Sequence, residues 1–457
     1  MQLCRIVGVA LVLAWQAAAW GRPASYGERV REHVLANGLK VLLLEEHKAP
    51  VVVVQVWYRV GSRNEQLGKT GLSHLLEHLM FKGTEKRGPE EYSRIIQRNG
   101  GNENAFTDAD NTTYFATLAS DRVEVVLDLE SDRMVNLKFG DEQFRPEHQV
   151  VIEERRLRTE DNPVAALFEL LGATAYVAHP YQWPIIGWMD DLRQATREDA
   201  LEYYRLHYAP NNAFLVIAGD FESERMIADV ERWFGPLTAR PAPPAVRSIE
   251  PPQRGERRAV LRRPAELPFV AIGYHVPNLR HADAPALEVA SAILADGKSS
   301  RLYDRLVYRR QLARSAGANY DYTQHDPGLF TVYAQPMPGK SAAELERALL
   351  AEIEALQRHA PAEAELEKAK NSLEAGFLLA QDSLFYQALL LGQYEIADRW
   401  QRIDQYVPAV RAVAPEDVQR VARTYLVADN RTVATLEPLP LEPGQRPPLS
   451  QPPGKLH

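Results

Sequence analysis

Residues 71–80 read Gly71-Leu72-Ser73-His74-Leu75-Leu76-Glu77-His78-Leu79-Met80. His74 and His78 stand four apart, so on an α-helix both imidazoles leave one face and can close on a single cation. Glu77 overlooks the same face but sits one position off the chelating pair, which suits a proton carrier better than a ligand. Zinc accepts neutral imidazole nitrogens, and a catalytic site needs three protein ligands with one position open. Mn, Co and Fe accept similar donors. Paired histidines on a helix face are also found simply solvated or packed, so the run needs a third ligand to become a metal site.

That ligand has to be a histidine or a carboxylate. The only cysteine, Cys4, lies in the amino-terminal segment, so neither a disulfide nor a thiolate ligand is available to the rest of the chain. Pro146 opens a helix that carries Glu147, Glu153 and Glu154, with Val150, Val151, Ile152 and Leu157 giving it an apolar side. Glu154 is a candidate, and His148, beside the expected helix start, is the competing nitrogen donor. Glu147 and Glu154 are seven apart, about two turns, and share a face. One of them can bind while the other orients a ligand from behind.

Around the motif, Gly38–Glu45 and Val51–Tyr58 read as strands, the second rich in β-branched residues. Pro89 opens a helix through Tyr92, Ile95 and Ile96. Asn104 to Leu118 reads as a hairpin turning at Asp108–Asn111, and Asp121 caps a long amphipathic helix. The proline-rich stretch from Pro236 to Arg254 reads as an extended linker. Beyond it the order repeats. Phe269–Tyr274 aligns with the strand ending at Tyr58, and Phe330–Tyr333 with Tyr114–Thr117, both at an offset of 216 (274 − 58, 330 − 114). Ala342–Leu356 then matches Asp121–Val135, and Pro361–Phe377 matches the helix of Glu154, which points to an internal duplication. The helix equivalent to the histidine helix reads Leu287–Leu294 and has no histidine.

The chain has 457 residues, 45% of them hydrophobic and 25% charged, which is too long for one ordinary core. A net charge of −8 argues against nucleic-acid binding. Arg5, an apolar run from Ile6 to Ala14, and Ala17-Ala18-Ala19 read as a secretory signal, with no stable membrane span after its removal. The expected organisation is a signal peptide at 1–24, a metal-bearing domain at 25–235, a linker at 236–256, a homologous domain without metal at 257–440, and a proline-rich tail at 441–457. Signal and cysteine usage together fit the periplasm of a Gram-negative bacterium.

The motif resembles that of the pitrilysin-like (inverzincin) zinc peptidases, and the chain is similar to bacterial relatives of the mitochondrial processing peptidase, of the catalytic-subunit type. In that family the third ligand is a glutamate 76 residues beyond the second histidine (154 − 78), which selects Glu154, and a further glutamate seven earlier matches Glu147. Gly100–Thr107, His179-Pro180-Tyr181, Pro184–Trp188 and Asn211–Asp220 match further family stretches. The resemblance covers nearly all of the mature chain. It implies two homologous α+β domains forming half of a clam-shell, each a mostly antiparallel sheet with helices on one face. It also implies Zn2+ held by His74, His78 and Glu154, with Glu147 behind them. Glu77 then acts as general base toward a water that attacks a peptide carbonyl, and the substrate lies as an added strand along Asn104, Ala105 and Phe106.

One run departs from the family. Members that act alone carry an Arg and a Tyr seven apart in the second half. Here Val307 stands where Arg is expected and Arg314 where Tyr is expected. A homologous subunit supplying that pair in a heterodimer is the expected remedy, and a homodimer is the milder version. Two other roles are a non-catalytic assembly subunit, against which the intact His74, Glu77, His78 and Glu154 speak, and a maturation protease for one secreted peptide.

Overall fold

The computed structural model describes residues 25–440, so the expected signal at 1–24 and the tail at 441–457 lie outside the described residues. Eleven strands form two sheets among the described residues. The first six are β1 (Val30–Val34), β2 (Lys40–Glu45), β3 (Val51–Tyr58), β4 (Asn102–Thr107), β5 (Thr112–Ala119) and β6 (Ala213–Gly219). They order as β1-β2-β6-β3-β5-β4, and only β2 and β6 run parallel. The other five are β7 (Arg257–Pro264), β8 (Phe269–Val276), β9 (Ala313–Tyr320), β10 (Gly328–Pro336) and β11 (Arg431–Leu439), ordered β7-β11-β8-β10-β9. Here β7 and β11 make the single parallel pair, in the place that β2 and β6 take in the first sheet. This is the α+β architecture of two homologous domains expected from the sequence.

The offset of 216 does not hold for both repeated strands at once. Tyr58 pairs with Thr112, whereas Tyr274 pairs with Phe330. One strand of the second pair has therefore slipped by two residues. A slip of two keeps every side chain on its own face, so the duplication survives it.

Helices of eight residues or more are numbered in chain order. They are α1 (Leu72–Leu79), α2 (Glu91–Arg98), α3 (Val123–Asn136), α4 (Asp141–Arg155), α5 (Pro163–Ala175), α6 (Arg197–His207), α7 (Ser223–Phe234), α8 (Ala284–Ala295), α9 (Ala342–Arg358), α10 (Glu363–Ala380), α11 (Leu384–Ala397) and α12 (Pro415–Tyr425). Three helix starts differ from the sequence reading. Ser120 N–H remains tied to Pro50 O at 3.1 Å, so the chain first makes a 3-10 turn and α3 begins at Val123, leaving Asp121 short of the cap. Glu90 N–H is held by Phe81 O, and α2 opens at Glu91 rather than at Pro89. The helix of Glu154 starts at Asp141, where Gly140 N–H donates to Gln143 Oε1 at 2.9 Å, and Pro146 lies inside it at the cost of one backbone donor.

Strand parity divides the core. Val52, Val54 and Val56 of β3 face α1 to α4, α6 and α7, while Val53 and Trp57 face away. That second face is covered by α11 of the other half, through Ala388, Leu389 and Leu391. A Cβ on Gly392 would fall 2.1 Å from the Trp57 ring, so α11 sits flush on the indole. The second sheet carries α8, α9, α10 and α12 on one face, and its other face takes Val164, Leu167 and Leu171 of α5 from the first half. Each half thus lends one helix to the other. The run of β3, apolar except at buried Gln55, follows from burial on both faces.

Candidate metal centre

The histidine helix is anchored through Leu72, Leu75, Leu76 and Leu79, all buried against the first sheet. Its start is set by Glu65, whose two carboxylate oxygens accept the N–H groups of Gly71 and Ser73, each at 2.7 Å. Burial pushes the Glu65 carboxyl up to about 8, and those two N–H groups pull it the other way. Gly71 caps the helix with φ 88°, a left-handed turn that glycine adopts without strain. Its backbone lies directly against Gly187, itself at φ 85°.

On the face away from the sheet, α1 meets α4, which is fixed from beneath by buried Val151 and Ile152. His74 Nε2 lies 3.8 Å from Glu154 Oε1, and His78 Nε2 lies 3.3 Å from Glu154 Oε2. One donor atom from each of these three residues falls within 4.8 Å of the others. Glu147 Oε1 accepts a hydrogen bond from His78 Nδ1 at 2.8 Å, and its other oxygen pairs with Lys82 Nζ at 2.6 Å. Glu77 sits beside the cluster, and Thr107 Oγ1 donates to its Oε2 at 2.5 Å.

Burial, with the neighbouring His78, lowers His74 to about 4, which leaves it neutral near pH 7. Burial also pulls His78 down, but hydrogen bonds to Glu147 and Glu154 lift it to about 9. Glu154 is raised by burial and then held down at about 2 by His78, His74 and Arg158. Arg158 Nη1 reaches Glu154 Oε1 at 3.0 Å from four residues along the chain. Burial raises the Glu77 carboxyl against the pull of Thr107.

Two imidazoles and one carboxylate, gathered where they make few other bonds, fit a zinc ion by donor chemistry. His74 Nδ1 is buried and has no hydrogen-bond partner among the described residues. His78 Nδ1 is spent on Glu147, which leaves Nε2, facing Glu154, as the nitrogen that can give up its proton to bind a metal.

The remaining sequence candidates are placed as follows. Asn104, Ala105 and Phe106 lie on β4, the outermost strand of the first sheet, which packs beside α1. Ala105 turns toward the core beneath α1, and Phe106 packs edge-on against Trp57 at 5.6 Å. The Asn104 side chain accepts the Ala105 N–H. Glu153 is exposed and pairs with Arg156. His148 stands mid-helix, not at a helix start; its Nε2 meets Leu192 O at 2.5 Å and its ring stacks on Phe144, outside the metal cluster. In the second half, Val307 packs against the core, Arg314 is exposed on β9, and Tyr308 is 71% exposed.

Sequence reasoning did not find Glu65, Lys82, Thr107 or Arg158. Arg158 was within reach, since it is four residues past Glu154. Thr107 shares strand parity with Ala105 and closes the hairpin stretch already singled out. Glu65 and Lys82 gave no local signal, because each acts through a fold in the chain.

Residues 40–187 match the family described as Insulinase (Peptidase family M16), and residues 194–373 match the Peptidase M16 inactive domain. Zinc protease PqqE of Helicobacter pylori is 35% identical over 438 residues, covering 95% of this chain and 98% of that one. YmxG of Bacillus subtilis, an uncharacterized zinc protease, is 26% identical over 88% of this chain and 96% of its own. Among solved structures, a protease from Helicobacter pylori superposes with a TM-score of 0.87 at 35% identity, covering 90% of this chain and 99% of that chain. The periplasmic protease PqqL from Escherichia coli shares the fold at a TM-score of 0.75 and 16% identity, and this chain spans 49% of its length. Matched in order by both family domains and along almost its whole length by a relative at 35% identity, the chain belongs to the M16 peptidase family, that of insulinase.

Proposed function

We propose that this chain is a zinc metalloendopeptidase that hydrolyses peptides or small unfolded proteins. The observation that carries the reading is the convergence of His74, His78 and Glu154 beside Glu77, next to the outermost strand β4. A zinc ion in that donor set supplies Lewis acidity toward a peptide carbonyl and lowers the pKa of water. Glu77 has its Oε2 engaged by Thr107, so Oε1 takes the proton of the attacking water and returns it to the leaving nitrogen. Asn104, Ala105 and Phe106 offer main-chain groups to an extended substrate, which binds with little dependence on sequence. Glu147 keeps the His78 ring oriented throughout. The relatives named zinc proteases support this reading.

The test is metal content and peptide cleavage of the wild type against Glu77→Gln. Cleavage should fall by about a hundred- to ten-thousandfold while zinc stays bound. Full activity in Glu77→Gln would sink the mechanism.

The same reading makes the chain one member of a pair. Val307 and Arg314 occupy the run where lone-acting relatives hold Arg and Tyr, and a homologous subunit would bring both. That the Escherichia coli fold neighbour is about twice as long supports a chamber built from two such halves. The amino-terminal run read as a secretory signal supports work in the periplasm. No helix among the described residues is long and apolar enough to cross a membrane.

A further inference from the structure

We infer that Thr107 is a positioning residue for Glu77, and that the metal-free second half of the chain helps to hold it in place through Asp326, whose carboxylate fixes the Arg63 that also grips Asp110 at the hairpin tip. The inference rests on the peptidase reading of Glu77. A glutamate carboxylate turns freely about its last torsion, and in a general base that freedom has to be removed. The bond from Thr107 Oγ1 to Glu77 Oε2 at 2.5 Å removes it. Thr107 is the last residue of β4, 4% exposed, and its backbone pairs with Thr112 across the hairpin. The hydroxyl therefore has a fixed origin, which a surface side chain would lack.

The hairpin tip is fixed in turn. Asp108 N–H donates to Asn111 O at 2.8 Å, and the N–H groups of Ser62 and Arg63 donate to the carbonyls of Asp108 and Ala109 at 3.2 and 2.9 Å. Asp110 accepts the Tyr181 hydroxyl at 2.8 and 2.9 Å and the Arg63 guanidinium at 3.4 Å. It also accepts the backbone N–H of His325, from the second half, at 2.9 Å. Beside it, Asp326 accepts Arg63 at 2.6 Å and donates its own N–H to Tyr181 Oη at 3.0 Å. Residues from both halves thus close on the turn that carries Thr107. This gives the half without a metal a task at the active site, and it links the proposed substrate strand to the base: Asn104 to Phe106 and Thr107 are one strand.

The test uses the full zinc-loaded chain, with any partner it needs, on an internally quenched unfolded peptide. Thr107→Val keeps the shape and removes the hydroxyl; Thr107→Ser keeps the hydroxyl. We expect Thr107→Val to lower kcat about ten- to hundredfold with KM and zinc content within about twofold of wild type, and Thr107→Ser to recover most of the loss. Metal-free crystals should show the Glu77 carboxylate displaced in the valine variant and in place in the serine variant. Asp326→Ala should lower kcat by a smaller factor, about threefold, again without moving KM. Wild-type kcat in Thr107→Val, while Glu77→Gln is inactive, overturns the positioning role and leaves the peptidase reading standing. Full activity in Glu77→Gln overturns both. An unchanged kcat in Asp326→Ala overturns the part assigned to the second half.

Discussion

His78 Nδ1 donates to Glu147 Oε1 at 2.8 Å, and the carboxylate has no proton to give back, so the bond decides which ring nitrogen is left to bind a metal once it releases its proton. That nitrogen is Nε2, 3.3 Å from Glu154 Oε2. Glu147→Gln preserves size and removes the charge. Zinc affinity should weaken about ten- to a hundredfold, read by competition with a chelator of known strength. An unchanged affinity would show that the ring needs no help from behind.

Gly71 and Gly187 touch through their backbones at the mouth of the histidine helix. A Cβ on Gly187 would lie 2.5 Å from Gly71 Cα and 2.6 Å from Gly71 N, the same N–H that Glu65 accepts. Gly187→Ala combines a left-handed residue with overpacking, at a cost of about 2–4 kcal/mol, and it pushes on the start of α1. Gly68→Ala is the control, since Gly68 also has positive φ but open space around it. Gly187→Ala should lower both Tm and zinc occupancy well beyond the control. Equal effects in the two variants would locate the whole cost in the backbone angle.

The parts of this protein legible in the sequence are those whose cause is local. The ladder of β3, the spacing of His74 and His78 on one face, and the hairpin turning at Asp108–Asn111 each follow from period and turn chemistry within a few residues. Glu154 joined them through a resemblance, since the chain between His78 and Glu154 carries no local signal of its approach. What stayed hidden depends on distant partners. Nothing in α5 or α11 says that each covers the sheet of the opposite half, because an apolar helix face reads the same whichever sheet receives it. Pro146 misled for the converse reason: proline is favoured at helix starts, but Gly140 and Gln143 had already nucleated α4 one turn earlier.

His207, in the last turn of α6, is 3% exposed, packs on Tyr203 at 4.4 Å, and is lowered by burial to about 4. In the unfolded chain it titrates near 6.5. Below that value the unfolded state takes up a proton that the folded state refuses, so this contribution is complete above pH 6.5 and is lost as pH falls toward 4. The loss amounts to about 3 kcal/mol at the acid end. His74 is lowered by the same cause, so the measurement is the difference between wild type and His207→Leu in denaturant stability between pH 7 and 4. The variant should show the shallower decline. Parallel curves would mean that His207 is protonated without opening the fold.

Val307 is packed into the second core and Arg314 stands exposed on β9, so neither offers the Arg and Tyr side chains that lone-acting relatives place in this run. Removing one donor that steadies a developing oxyanion costs about a hundred- to a thousandfold in rate. The purified chain alone should therefore bind zinc normally and cleave slowly. Adding a homologous subunit that carries the Arg/Tyr pair and lacks the H-x-x-E-H motif should raise kcat/KM by about that factor, with the partner inert by itself. Metal content should not change on mixing, which separates completion of the site from rescue of a poorly loaded one. If the chain alone matches the mixture across a concentration series, it carries its own oxyanion donor. Arg309 and Arg310, from the same exposed run as Tyr308, are then the side chains to replace.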